Sequence, residues 1–140
     1  MAGVRRVLLV DDDPFDQALI RSAFTRIGSD AQVDVVSDIA HAMDHLENPD
    51  LPMLTIVDLK LRGESGLDLV RTVRTDARRR LMPMVVLSGS DDPVDVRACY
   101  DAGANAYLVK PQTLEGFDDL VDRLDAFWLG ACSFVETLAG

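Results

Sequence analysis

The chain is poor in cysteine and short of positive charge, and each shortage closes off a class of protein. Its two cysteines, Cys99 and Cys132, stand far apart and form no CxxC pair, so neither a disulfide framework nor a cysteine metal site is indicated. Reduced, buried thiols are expected. Lysine and arginine number 14 against 24 aspartates and glutamates, a net charge of −10, which argues against the phosphate backbone of nucleic acid as a partner. No apolar run approaches the ~18 residues that would read as a membrane span. The N-terminus has no signal-peptide layout, so a cytoplasmic location and no membrane association are expected. No internal repeat or low-complexity segment is present. What remains is ordinary: 140 residues, 48% hydrophobic and 27% charged, which suit one folded domain with a single core.

Against that background, four short apolar runs stand out, each ending on a polar residue. VRRVLLV ends at Asp11-Asp12, MLTIV at Asp58, MPMVVL at Ser88 and NAYLV at Lys110-Pro111. Runs rich in Val, Ile and Leu, each followed by a turn and a helical pattern, read as buried parallel strands. In an open α/β sheet, ligands bind in the crevice outside the carboxyl ends of the strands. Three carboxylates, a hydroxyl and an ammonium are therefore expected to meet in one place.

The intervening segments supply the helices. Pro14 is placed to begin the first, whose apolar residues Phe15, Leu19, Ile20, Ala23, Phe24 and Ile27 stop at Gly28. Gln32–Val36 is a short second strand, and Asp38 can cap the helix that follows. Met53–Val57 is strand three, and residues 61–66 read as a loop with two glycines. Leu67, Leu69, Val70 and Val73 mark a third helix ending in a basic stretch. Asp91-Asp92-Pro93 opens a fourth, with Gly103 as its stop. A fifth begins near Thr113. Five strand–helix units predict a doubly wound parallel sheet with helices on both faces.

Asp11 and Asp12 are adjacent, so only one can point fully into the crevice. Adjacent carboxylates repel unless a cation lies between them. Mg²⁺ takes oxygen ligands, usually one or two carboxylates with waters and phosphate oxygens. Asp12 and Asp58 are expected as direct ligands, Asp11 through water, and the Lys60 backbone carbonyl as a further ligand. A carboxylate beside a metal can also attack phosphorus and form an aspartyl phosphate. Lys110 and Ser88 would then neutralise and hydrogen-bond the phosphoryl oxygens.

The elements VLLVDDDP, IVDLKLRGESGLDLV, VVLSGS and GANAYLVKP, in this order and spacing, resemble the receiver domain of two-component response regulators. The resemblance covers about residues 4–125 and implies a flavodoxin-like fold with strand order 2-1-3-4-5. It implies that Asp58 accepts a phosphoryl group from a histidine kinase, with Asp11 and Asp12 as the acidic pair and Lys110 as the phosphate-binding lysine. Ser88 and Tyr107 carry over as the switch pair, and the Lys110-Pro111 bond is often cis in that family, which leaves its isomer here open. The Phe127-Trp128 pair, with the SDD and GANAYLVKP stretches, is also similar to single-domain regulators that work with bacterial phytochrome kinases. Departures from the family pattern are Arg62 where proline is common, Lys60 where a neutral or acidic residue is usual, and Gln112 in place of an apolar residue. Lys60 at the mouth of the site puts the lifetime of the phosphoryl group in question.

The same residues admit other readings. A haloacid-dehalogenase-like phosphatase would use Asp11-Asp12-Asp13, Ser88-Gly89, Lys110 and Asp118-Asp119, but that last pair falls inside a helical pattern and Asp58 would have no role. An inert scaffold is opposed by the intact Asp12, Asp58 and Lys110. Asp13 reads as a helix cap. His41 and His45, four apart, lack a third ligand and read as a solvated face. Arg71, Arg74, Arg78, Arg79 and Arg80 read as a solvated helix end.

Residues 126–140 are expected to form a helical extension rather than an output domain, so that signalling proceeds by protein contact or phosphorelay. A helix running from Thr113 to Leu138 would be roughly 40 Å long, so it must overhang the domain or fold back at Gly130. Phe127, Trp128, Phe134 and Leu138 would then form an apolar patch. A homodimer through helix four, strand five and helix five is expected to cover it.

Overall fold

The computed structural model describes residues 5–133. Its main sheet contains β1 (Arg6–Val10), β2 (Gln32–Val36), β3 (Leu54–Asp58), β6 (Met84–Ser88) and β7 (Ala106–Val109). All pair in parallel, in the order β2-β1-β3-β6-β7. That is the expected 2-1-3-4-5 order, once β4 (Lys60–Leu61) and β5 (Glu64–Ser65) are set aside as a small antiparallel hairpin. This hairpin replaces the plain loop expected after Asp58.

Five helices connect the strands: α1 (Pro14–Arg26), α2 (Ile39–His45), α3 (Gly66–Arg74), α4 (Pro93–Ala102) and α5 (Leu114–Ala126). Their starts follow from local chemistry. Asp13, Asp38, Ser65, Asp92 and Thr113 each turn a side-chain oxygen back to an N–H of the first turn. Gly103, at φ 108°, ends α4 in the left-handed conformation.

Alternation along each strand sorts the core into two layers. Val7, Leu9, Leu54, Ile56, Val85 and Leu87 face α1 and α5, where they meet Ile20, Phe24, Phe117 and Val121. Leu8, Val10, Val57, Met84 and Val86 face α2, α3 and α4, where they meet Leu46, Leu69, Val70 and Cys99. Because both faces are covered, the strands read in sequence as unbroken apolar runs.

Several surface expectations are corrected. Of the five arginines expected at a solvated helix end, Arg71 and Arg80 are exposed, but Arg74, Arg78 and Arg79 are tied to backbone carbonyls. Arg74 donates to the carbonyls of Gly103, Arg80 and Met82. Arg78 and the buried Arg79 both donate to the Leu46 carbonyl at the end of α2. His45 is not on a solvated face either: its Nε2 lies 3.1 Å from Asp34 and its ring is largely covered. Cys99 is buried as expected, but Cys132 is half-exposed. No cis peptide bond occurs among the described residues, so Lys110-Pro111 is trans.

The helix at the C-terminal end is also shorter than its periodicity suggested. α5 stops at Ala126, and Phe127–Ala131 form a single wider π turn before Cys132 becomes extended. That turn buries Leu129 and packs Trp128 against the α1–α5 layer, leaving Phe127 exposed. Arg5 donates to the Leu129 carbonyl and fixes the turn to the start of β1. Phe134 and Leu138 lie outside the described residues. No helix among the described residues is long and apolar enough to cross a membrane.

Candidate functional site

The parallel strands end together, and their last residues converge as the sequence suggested. Asp58 closes β3 and is buried. Its Oδ1 accepts from the Lys60 N–H at 3.2 Å, and its Oδ2 accepts from Lys110 Nζ at 2.8 Å. Lys110 follows β7, and its own N–H donates to the Ser88 carbonyl at 2.7 Å, fixing the root of the side chain at the sheet edge. Asp11 follows β1 and is fully buried. Its Oδ1 accepts from the Asp13 N–H at 2.9 Å, while Oδ2 has no hydrogen-bond partner and lies 3.7 Å from Lys110 Nζ.

Charge and burial oppose each other here. Burial pushes the Asp11 carboxyl up to about 6, against the Asp13 N–H and the attraction of Lys110. Burial also pulls Lys110 down. Its hydrogen bonds to Asp16 and Asp58, with attraction from Asp11 and Asp58, outweigh that and hold the ammonium above its ordinary value. Lys110 therefore stays charged among the carboxylates.

The third carboxylate of the cluster is Asp16, which the sequence reading missed. One oxygen from each of Asp11, Asp16 and Asp58 lies within 4.8 Å of the others. Asp16 sits in the first turn of α1, and Lys110 Nζ donates to its Oδ2 at 2.7 Å. The signal was Pro14: a helix beginning there carries the residue two positions on in its first turn, at the crevice end of α1. Asp12 is placed at the rim, half-buried, with Oδ2 4.0 Å from the exposed Arg62 Nε. The Lys60 side chain is exposed beside the end of β3.

Ser88 is buried at the end of β6, and its Oγ accepts from the Ser90 N–H at 3.2 Å. Tyr107 is half-buried on β7 and donates its hydroxyl to the Ser90 carbonyl. By contrast, Asp118 and Asp119 lie within α5, where Asp118 pairs with Arg26 across to α1. They take no part in this site.

Three carboxylates, one of them Asp11 with an orphaned buried oxygen, offer hard oxygen donors that suit a divalent cation. A cation here would also relieve the repulsion among Asp11, Asp16 and Asp58.

The doubly wound parallel sheet thus carries an acidic crevice in which one lysine reaches the central carboxylate, the class of domain that binds a cation and an anionic group at its strand ends. The family model for the response regulator receiver domain matches residues 7–125, and the chain belongs to that family. It is 31% identical over 129 residues to the probable methanogenesis regulatory protein FilR2 of Methanothrix harundinacea, covering 89% of this chain and 83% of that one. It is 29% identical to response regulator Rcp1 of Synechocystis, covering 88% of each. The Mn²⁺-bound structure of Rcp1 superposes with a TM-score of 0.83, at 27% identity, covering 94% of this chain and 99% of that one. The phosphorylated cyanobacterial phytochrome response regulator RcpA gives a TM-score of 0.88 at 27% identity, covering 96% and 100%.

Proposed function

We propose that the protein is a stand-alone, cytoplasmic response regulator whose Asp58 takes a phosphoryl group from the phosphohistidine of a sensor kinase of the phytochrome type. The observation that carries the acceptor role is the 2.8 Å contact between Lys110 Nζ and Asp58 Oδ2, with the orphaned Asp11 oxygen beside it; the likeness to a phytochrome response regulator supports the kinase type. A carboxylate oxygen of Asp58 attacks phosphorus, the new O–P bond forms, and the N–P bond breaks with its electron pair passing to the imidazole. Lys110 stabilises the charge gathering on the phosphoryl oxygens. The Lys60 N–H fixes Asp58 by its other oxygen.

Asp11, Asp12 and Asp58, with the Lys60 carbonyl, would hold the Mg²⁺ expected for this reaction; Asp16 adds a fourth carboxylate to the cluster. When bound, Mg²⁺ would supply a second positive charge in addition to that of Lys110. The exposed Lys60 ammonium tunes how long the phosphoryl group survives. Ser88 turns toward the phosphoryl oxygens, Tyr107 follows into the vacated space, and the two-state shift is read by a partner protein or a further histidine protein.

Phosphorylation also acts on a homodimer made through α4, β7, α5 and the residues beyond. The exposed Val94, Tyr100, Val109 and Phe127 support that surface. Incubating the protein with an autophosphorylated phytochrome-type histidine kinase should move the label onto the regulator. A kinase that keeps its label in the presence of Mg²⁺ and excess regulator would remove the proposed partner. Light scattering across a concentration series, with and without beryllofluoride, should show dimers; a monomer throughout would remove the proposed assembly.

A further inference from the structure

Lys110 is held by two carboxylates, and only one of them changes chemically when Asp58 is phosphorylated. Its Nζ lies 2.7 Å from Asp16 Oδ2 and 2.8 Å from Asp58 Oδ2. The side chains of Lys110 and Asp16 are only 16% and 18% exposed, so their ion pair is screened far less than one at the open surface. We infer that Asp16 is a positioning residue for phosphoryl transfer, anchoring the Lys110 ammonium where an arriving phosphoryl oxygen meets it. This rests on the reading of Asp58 as the acceptor.

An ammonium on a flexible four-carbon stem has three rotatable donors and no direction of its own. A donor is most effective when it is aimed before charge develops. Asp58 cannot keep Lys110 aimed through the reaction, because its carboxylate charge is lost when one oxygen is esterified. Asp11 cannot either: its nearest oxygen is 3.7 Å away, beyond hydrogen-bond length. Asp16 keeps both charge and place throughout. The N-terminal end of α1 also favours a carboxylate at that position.

Two simpler roles make different demands. If Asp16 only complements the α1 dipole, its loss changes stability and is indifferent to Lys110. If it acts only as one more negative charge, it repels an anionic phosphodonor, and its removal speeds the reaction. Positioning has the opposite sign and works only through Lys110.

The test measures the rate of phosphorylation by acetyl phosphate with Mg²⁺ in full-length wild type, Asp16→Ala, Asp16→Ser and Asp16→Asn. Each is made alone and with Lys110→Ala. Ala and Ser should slow the reaction about tenfold, because a displaced donor keeps only part of its effect. Asn should restore most of the rate, since its amide oxygen still accepts from the ammonium. In the Lys110→Ala background, Asp16→Ala should add nothing.

The ¹⁹F spectrum of the beryllofluoride complex gives a direct readout of Lys110. Asp16→Ala or Asp16→Ser should shift the fluorine resonance that Lys110→Ala also shifts. Wild-type or faster rates in both Ala and Ser variants, or a loss undiminished without Lys110, would overturn the inference. Should Ala fail to fold, Ser decides the outcome alone, because serine suits a helix N-terminus and is too short to reach Lys110. Mass spectrometry of the wild type separates the two levels. A modified residue other than Asp58 removes the underlying reading, whereas modified Asp58 with equal rates in every variant removes only the role of Asp16.

Discussion

The Tyr107 hydroxyl donates a 2.5 Å hydrogen bond to the Ser90 carbonyl, tying β7 to the loop that follows β6 two residues beyond Ser88. The Tyr107 N–H is taken as well, by the Tyr100 hydroxyl of α4 at 3.2 Å. Ser88 and Tyr107 are thus joined through one short loop, and Tyr107 cannot turn inward without releasing Ser90. Tyr107→Phe keeps the ring and removes the donor. It should cost about 0.5–1.5 kcal/mol in urea unfolding. An unchanged midpoint would mean that the bond adds nothing net to the resting fold.

Gly66 lies where the start of α3 passes under the end of β3. A Cβ there would fall 2.1 Å from the Asp58 backbone oxygen. Gly66→Ala should therefore destabilise the protein by about 1–3 kcal/mol through overpacking. It should also weaken cation binding by moving Asp58. Wild-type stability and wild-type Mg²⁺ titration together would show that the backbone yields without cost.

Arg79 and Arg80 adjoin in sequence and differ in work. Arg79 is buried and donates to the Leu46 carbonyl, Asp76 and Glu47. Arg80 offers an exposed side chain. Arg79→Ala should lose about 1–3 kcal/mol by leaving buried groups unpaired. Arg80→Ala should stay within about 0.5 kcal/mol of wild type. Thermal melts compare them directly, and equal melting temperatures would return Arg79 to the role of a solvated charge.

The contrast between these arginines shows what the sequence could and could not convey. Strand periodicity placed Asp11, Asp58, Ser88 and Lys110 at one sheet edge, because apolar runs and strand ends are local features. The caps at Asp13, Asp38 and Thr113 were local as well. Asp16 was missed because its meaning depends on the direction of a helix relative to a lysine 94 residues away. Arg74, Arg78 and Arg79 looked like a charged tail because their partners, the carbonyls of Leu46 and Gly103, are backbone atoms of distant elements. The C-terminal pattern overran α5 because Leu129 and Trp128 continue an apolar rhythm through a π turn that tightens onto β1 rather than extending the helix.

Asp11 gives the metal-free protein a definite pH response. Its carboxyl titrates near 3.8 when unfolded and at about 6 in the fold, chiefly because of burial. Between those values the folded chain binds more protons than the unfolded one, so stability falls as pH rises through the window. The loss is nearly complete by about pH 7 and is on the order of 3 kcal/mol. In chelator, wild type should lose stability between about pH 4 and about pH 7 relative to Asp11→Asn, and Mg²⁺ should offset the loss by binding the ionised form. Parallel pH profiles for the two proteins would show that Asp11 is not the titrating group.

The identity of the phosphorylated residue is the most direct measurement. Full-length protein is treated with acetyl phosphate and Mg²⁺, the acyl phosphate is trapped by borohydride reduction, and the modified peptide is sequenced by mass spectrometry. Asp58 should carry the modification in wild type, and Asp58→Asn should carry none. Modification at Asp11, or uptake by Asp58→Asn equal to wild type, would contradict the assignment of Asp58 as phosphoacceptor.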